Sequence, residues 1–273
     1  MTDKAAWQGQ VGSSWAAEWE RTDRSFTGLT DLLMTRAGAH SFVNGLDIGC
    51  GAGELSLALG RAHPRAQIVG LDVSEDLIAV ATRRGENLAN VAFELADAAT
   101  WHKSGFRPDL LISRHGVMFF DDPVAAFNHL HQLAAPEARL LFSCFRSPAE
   151  NPWASETIAL LPPGTVAPSD PHAPGPFAFA DAARVERLLA HGGWHGIGFE
   201  PVDFAFVVGA GEHPVEEAMA YFAVIGPVAR AAAALADNEK RAFRKRLRRH
   251  LEKHASGSIL ALKAAAWIVT AHH

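Results

Sequence analysis

Between Gly45 and Glu54 an apolar run meets an acid, breaks into three alternating glycines and enters a helix: Gly45-Leu46-Asp47-Ile48-Gly49-Cys50-Gly51-Ala52-Gly53-Glu54. Glycines at such a turn let backbone N–H groups approach a ligand closely and tolerate positive φ. Leu55, Ala58, Leu59 and Ala62 then share one face of a helix whose partly positive N-terminus points at the turn. This pattern belongs to an open α/β sheet that binds a nucleotide-like cofactor at its first strand–helix turn.

Spacing discriminates among cofactors. A phosphate-cradling P-loop needs Lys-Ser/Thr after its last glycine, and Glu54-Leu55 stands there instead. A dinucleotide fingerprint counted from Gly49 puts Glu54 at its last small position, a carboxylate facing a pyrophosphate. S-adenosylmethionine (SAM) has no phosphate. It carries an ammonium, a sulfonium and a ribose, so Asp47 becomes an asset that attracts the ammonium directly or through water. Gln67–Asp72 reads as a second strand whose Asp72, roughly 20 residues past the glycines, can hold both ribose hydroxyls. Ser74 caps the next helix, with Glu75 and Asp76 in its first turn. A third strand, Val91–Ala98, carries Asp97 near its end, placed to accept from an adenine amino group. A lone acid at a strand end is more often a solvation device. Three at successive strand ends, beside Gly-x-Gly-x-Gly, point to SAM.

These residues, with Gly70-Leu71-Asp72-Val73-Ser74, Ala96-Asp97-Ala98, Ser113–Pro123 and Asn151-Pro152-Trp153, make the chain resemble the class I SAM-dependent methyltransferases, especially the group similar to ubiquinone/menaquinone-biosynthesis methyltransferases. The resemblance covers nearly the whole chain. It implies that Gly49, Gly51 and Gly53 line the methionine part, Asp72 and Val73 the ribose, and Asp97 with Ala98 the adenine, with Arg114 also touching the cofactor. Cys50, inside the loop, is expected to contribute its backbone rather than its thiol.

A chain of 273 residues accommodates one decorated domain more comfortably than two. Apolar content of 48% with 20% charged residues marks a globular protein. No apolar run approaches the ~20 residues that cross a bilayer, and the first residues lack a signal peptide's apolar core. Two cysteines, Cys50 and Cys144, are too few for a disulfide scaffold, so a cytoplasmic location is expected. A net charge of −5 argues against nucleic-acid binding.

Strands and helices alternate from about Gly45 to Phe145, adding a fourth strand at 109–113, a helix begun by Asp122-Pro123 and a fifth strand at 139–145. The family usually turns into the fifth strand through Pro-Gly-Gly, where this chain has Pro136-Glu137-Ala138. A proline-rich excursion (161–176), a helix at 182–190, a sixth strand at 197–208, helices at 215–236 and 238–254 and a strand at 264–270 complete the pattern. The expected fold is a doubly wound, seven-stranded Rossmann-like α/β sheet. The resemblance makes its last strand antiparallel. Residues 1–40 would form a helical lid on a domain spanning 41–273, with substrate-covering insertions at 146–180 and 212–256.

Methyl transfer needs positioning more than any fixed catalytic group. His115 ends the fourth strand and is the candidate base, the alternative being a hydrogen-bonded pocket wall. Trp15 and Trp19, four apart on one helix face, would offer indole rings to the sulfonium, or pack on the core. His129 and His131, two apart, do not face together on a helix, and no metal is expected. His272-His273 reads as a terminal tail or vector remnant. The basic helix 240–249 reads as a solvated face, leaving room for weak contact with a membrane surface. The expected activity is methyl transfer from SAM to an oxygen, carbon or nitrogen of a small or lipid-like acceptor, phenols and quinols first. A non-catalytic SAM-binding regulator and an NAD(P)-dependent oxidoreductase are the alternatives. The sequence leaves the oligomeric state open.

Overall fold

The computed structural model describes residues 4–166 and 170–273. The first three residues of the expected lid, and 167–169 of the proline-rich excursion, lie outside the described residues. Three helices come first: α1 (Lys4–Gln8), α2 (Gln10–Ala17) and α3 (Trp19–Ala37). An alternating run follows: β1 (Asn44–Ile48), α4 (Glu54–Ala62), β2 (Gln67–Asp72), α5 (Glu75–Gly85), β3 (Val91–Leu95), β4 (Leu110–Arg114), α6 (Pro123–Leu133) and β5 (Arg139–Phe145). The last third adds α7 (Pro152–Ala159), α8 (Ala182–His191), β6 (His195–Ala210), α9 (Pro214–Val224), α10 (Pro227–Ala233), α11 (Asp237–Glu252), β7 (Ala255–Ser256) and β8 (Ile259–His272).

The sheet runs β3-β2-β1-β4-β5-β8-β6. The first five strands are parallel, and β8 lies antiparallel between β5 and β6. Strands β1, β2, β4 and β5 are near-continuous apolar runs because helices cover both faces of a parallel sheet. Their carboxyl ends, with the reversal of strand order beside β1, form the crevice where ligands bind in such sheets. Local caps set the helix starts: Ser74 accepts from Leu77 N (3.4 Å) and Asp122 from Ala125 N (3.0 Å), with Pro123 at the first helical position.

Several expectations need correction. The sheet has eight strands, not seven, because Ala255–Ser256 folds back on β8 as a short hairpin arm. Strands β6 and β8, 16 and 14 residues long, extend well past the expected 197–208 and 264–270 because they continue pairing with each other beyond the rest of the sheet. The helix expected over 215–236 is two helices: Gly226 takes φ 89°, and Pro227, which has no N–H, restarts the chain as α10. Glu137 occupies the left-handed position, φ 63°, that a glycine would fill without strain. His272 is a strand residue, and His273 stacks on His131 at 4.0 Å, so the pair is built into the fold. No described helix is long and apolar enough to cross a membrane.

Candidate active site

A cavity of about 480 Å³ opens at the carboxyl ends of β1, β2 and β4, roofed by the N-terminal helices and by α9–α10. The glycine turn forms its floor. Gly49 has φ 67°, and a Cβ there would lie 2.8 Å from the Cα of Gly116, so close backbone approach at the β4 end requires glycine. Gly51 has φ 56° with nothing within 4 Å of an added Cβ, so only its missing side chain keeps that part of the floor clear. Gly53 caps α4 with φ 87° and packs under Phe93, where a Cβ would meet the ring at 2.8 Å. It shapes the turn without lining the cavity. Cys50 serves through its backbone, donating to Leu71 O at 2.9 Å, while burial pushes its thiol well up and keeps it protonated.

The three strand-end acids all reach the cavity. Asp72 accepts from Gly51 N and Ser74 N, each at 2.9 Å, which locks the turn to the second strand. Burial raises its pKa against those two bonds. Asp47 is buried, accepts from Ser56 Oγ at 2.6 Å and is pushed up to about 6, first by desolvation and then against the help of Ser56 and Arg114. Asp97 accepts from Lys4 Nζ (2.8 Å) and Ala99 N (2.9 Å). Burial raises its pKa, and those donors outweigh it and hold it low. Val73 and Ala98 also line the cavity.

Arg114 sits at the end of β4 in a buried network with Thr30 Oγ1 (2.8 Å), Asp23 (3.4 Å) and Glu54. It ties α3 to α4 while keeping an edge on the cavity. Burial lowers its pKa, with Asp23 and Asp47 opposing. The Glu54 carboxylate is therefore compensated, which removes the electrostatic objection to a phosphate raised from sequence alone.

His115 holds φ 65° beside Gly116. Its ring stacks on Phe145 at 4.1 Å, meets Phe26 edge-on at 5.3 Å and places Nδ1 3.3 Å from Ser143 Oγ. Its Nε2 is buried without a hydrogen-bond partner. Desolvation, aided by the Arg114 charge, depresses the imidazole to about 3, so the ring is neutral at physiological pH.

Trp15 lines the cavity and stacks on Phe26 at 6.5 Å. Trp19 does not line it: the helix breaks at Glu18, so the two indoles do not share a helix face, and the Trp19 ring lies under the Arg84 guanidinium at 3.8 Å. Trp7, one of the aromatic residues of the N-terminal segment, closes the cavity over Phe119; sequence reading missed Lys4, which closes it over Asp97, because its partner lies far along the chain. It also missed the aromatic wall of Phe26, Phe145, Phe206 and Tyr221 opposite the glycine floor. Apolar spacing could mark those residues only as core.

Comparison with known proteins places the same residues in a familiar pattern. The family model described as "Methyltransferase domain" matches residues 39–163, which contain the glycine turn, all three strand-end acids and His115. This segment is similar to methyltransferase domains, in keeping with the resemblance to the class I SAM-dependent methyltransferases. The chain is 32% identical over 120 residues to a trans-aconitate 2-methyltransferase of Variovorax paradoxus, covering 44% of this chain and 45% of that protein. The chain thus spans less than half the length of the curated relatives it matches. Its fold is similar to that of YcgJ from Bacillus subtilis, with TM-score 0.55 and 16% identity over 89% of this chain and 97% of the other. A Haemonchus contortus phosphoethanolamine N-methyltransferase 2, solved with SAM, gives TM-score 0.55 and 15% identity over 94% of this chain and 57% of the other. The residues present suit that cofactor: Asp47 is a buried carboxylate bonded to Ser56 with no ion pair of its own among the described residues, and Gly51 leaves bare the space a side chain would fill.

Proposed function

We propose that this chain is a SAM-dependent methyltransferase acting on a small acceptor that combines an apolar body with a carboxylate. The observation that carries this reading is a single cavity joining the glycine-and-acid floor to an aromatic wall, with a neutral His115 at the junction. Asp47 would hold the ammonium, Asp72 the ribose and Asp97 the adenine, with Gly49, Gly51, Cys50, Val73 and Ala98 shaping the floor and Trp15 the roof. SAM supplies an electrophilic methyl group on sulfonium, which departs as a neutral thioether. The chain's own contribution is to bind, orient and exclude water. Residues 4–37 would act as the lid, with Lys4 reaching Asp97 as its latch.

Acid–base arithmetic narrows the acceptor. An imidazole depressed to about 3 is a weak base. Asp23, Asp47, Asp72 and Asp97 each already hold a partner. An acceptor that arrives ionised needs no proton removed, and a carboxylate oxygen attacking the methyl carbon leaves a methyl ester. His115 would then serve as a neutral hydrogen-bonding group. The Variovorax relative is named for trans-aconitate, itself a carboxylate. The aromatic wall supports a second reading, a phenol or quinol acceptor, which would need a base from outside this set.

The test is a methyl-transfer screen with labelled SAM, pairing apolar carboxylic acids against phenols of similar size. Label that enters a base-labile ester supports the carboxylate reading. Label found only in stable aryl ethers refutes it.

A further inference from the structure

Glu156 on α7 meets the C-terminal end of α11, where His250 lies in the last turn and His254 just past the helix, four residues apart. One ligand atom from each of the three lies within 4.8 Å of the others, and His250 Nε2 is 3.6 Å from Glu156 Oε2. That separation is too long for a hydrogen bond, and His250 Nε2 is buried with no partner. A buried ring nitrogen without a partner is costly to fold, so its presence asks for a ligand. Donors around a tetrahedral zinc ion stand about 3.3 Å apart, so rotamer shifts of about 1 Å would complete the set.

We propose that Glu156, His250 and His254 bind a divalent transition-metal ion, zinc foremost, which clips α7 to α11. Two imidazoles and a carboxylate are a borderline donor set that suits zinc better than calcium or magnesium. His250 lies in the last turn of α11 and His254 just beyond its cap, where the backbone dipole favours a cation. Arg249 and Lys253 oppose it, which places the expected affinity in the micromolar range rather than below. The clip has a structural consequence. Helix α7 carries Trp153, part of the cavity wall, three residues before Glu156, so fixing α7 fixes that wall. The site is separate from the cavity and does not depend on the identity of the acceptor.

Calorimetric titration of the purified chain with zinc chloride tests the proposal, with a thermal melt alongside and cobalt(II) as the spectroscopic probe. One equivalent bound at micromolar Kd, a raised melting temperature and the visible bands of low-symmetry cobalt are expected. Glu156→Gln and His254→Ala, both at exposed positions that leave the core alone, should each weaken binding roughly 100-fold. His250→Ala should abolish it. A second histidine group, His131, His195, His272 and His273, is the internal control. The proposal is overturned by zinc binding that survives Glu156→Gln and His254→Ala, by binding lost in a His272→Ala/His273→Ala double variant, or by no heat at all with wild type.

Discussion

Gly49→Ala and Gly51→Ala place the same methyl group two residues apart and should fail in different ways. Both positions have φ near +60°, where a non-glycine residue costs about 1–2 kcal/mol. At Gly49 the new Cβ also meets the Gly116 backbone at 2.8 Å, which cannot rotate away and adds about 1–3 kcal/mol. At Gly51 it meets nothing within 4 Å. For 273 residues each kcal/mol moves the melting temperature by about 2 °C. Gly49→Ala should therefore melt about 4–10 °C below wild type and Gly51→Ala only about 2–4 °C below. Affinity for SAM should reverse the emphasis: Gly51→Ala stays folded yet binds roughly 10- to 100-fold more weakly, because its methyl stands where the ligand approaches the floor. Circular-dichroism melts and calorimetric titration of the two variants suffice. Equal losses of stability, or unchanged SAM affinity in Gly51→Ala, would refute the reasoning.

Three further outcomes follow from single observations. Glu137→Gly relieves a left-handed strained residue in the turn before β5 and should raise the melting temperature by about 2 °C, checked by the same melts. Asp47, about 6 when folded against about 3.9 in an unfolded chain, binds more protons folded than unfolded between those values, so it lowers stability as pH rises through that window. Asp47→Asn should then stabilise the protein at pH 7 by about 2–3 kcal/mol while weakening SAM binding, and melts at pH 4 and pH 7 should show the gain only at the higher pH. His115, depressed to about 3, titrates below the working range, so the pH–rate profile should carry no limb near 6.5 that disappears in His115→Asn; such a limb would make it the base.

Much of the fold was readable because its determinants are local. The glycine turn, the acids ending β2 and β3, and the Ser74 and Asp122 caps are short patterns whose meaning does not depend on distant partners. What escaped depends on contacts across the chain. Lys4 pairs with Asp97, 93 residues away, and Arg114 with Glu54, 60 residues away; neither separation leaves a trace in periodicity. Trp15 and Trp19 share a helical spacing but part company because the helix breaks at Glu18: Trp15 lies on α2, and Trp19 opens α3 under the Arg84 guanidinium. His115 reads as a base because its ordinary pKa suits one, whereas its burial between Phe145 and Phe26, with the Arg114 charge nearby, lowers that pKa and depends on residues far along the chain. Gly226-Pro227 was a local break signal, but the apolar run on both sides of it read as one helix.

Calorimetric titration of the wild-type chain with SAM and with S-adenosylhomocysteine tests the cofactor site most directly, with NADH as the control ligand. One equivalent of each sulfur nucleoside bound at micromolar affinity, with no heat from NADH, is the expected result. Absence of binding by both, or NADH binding in their place, would contradict it.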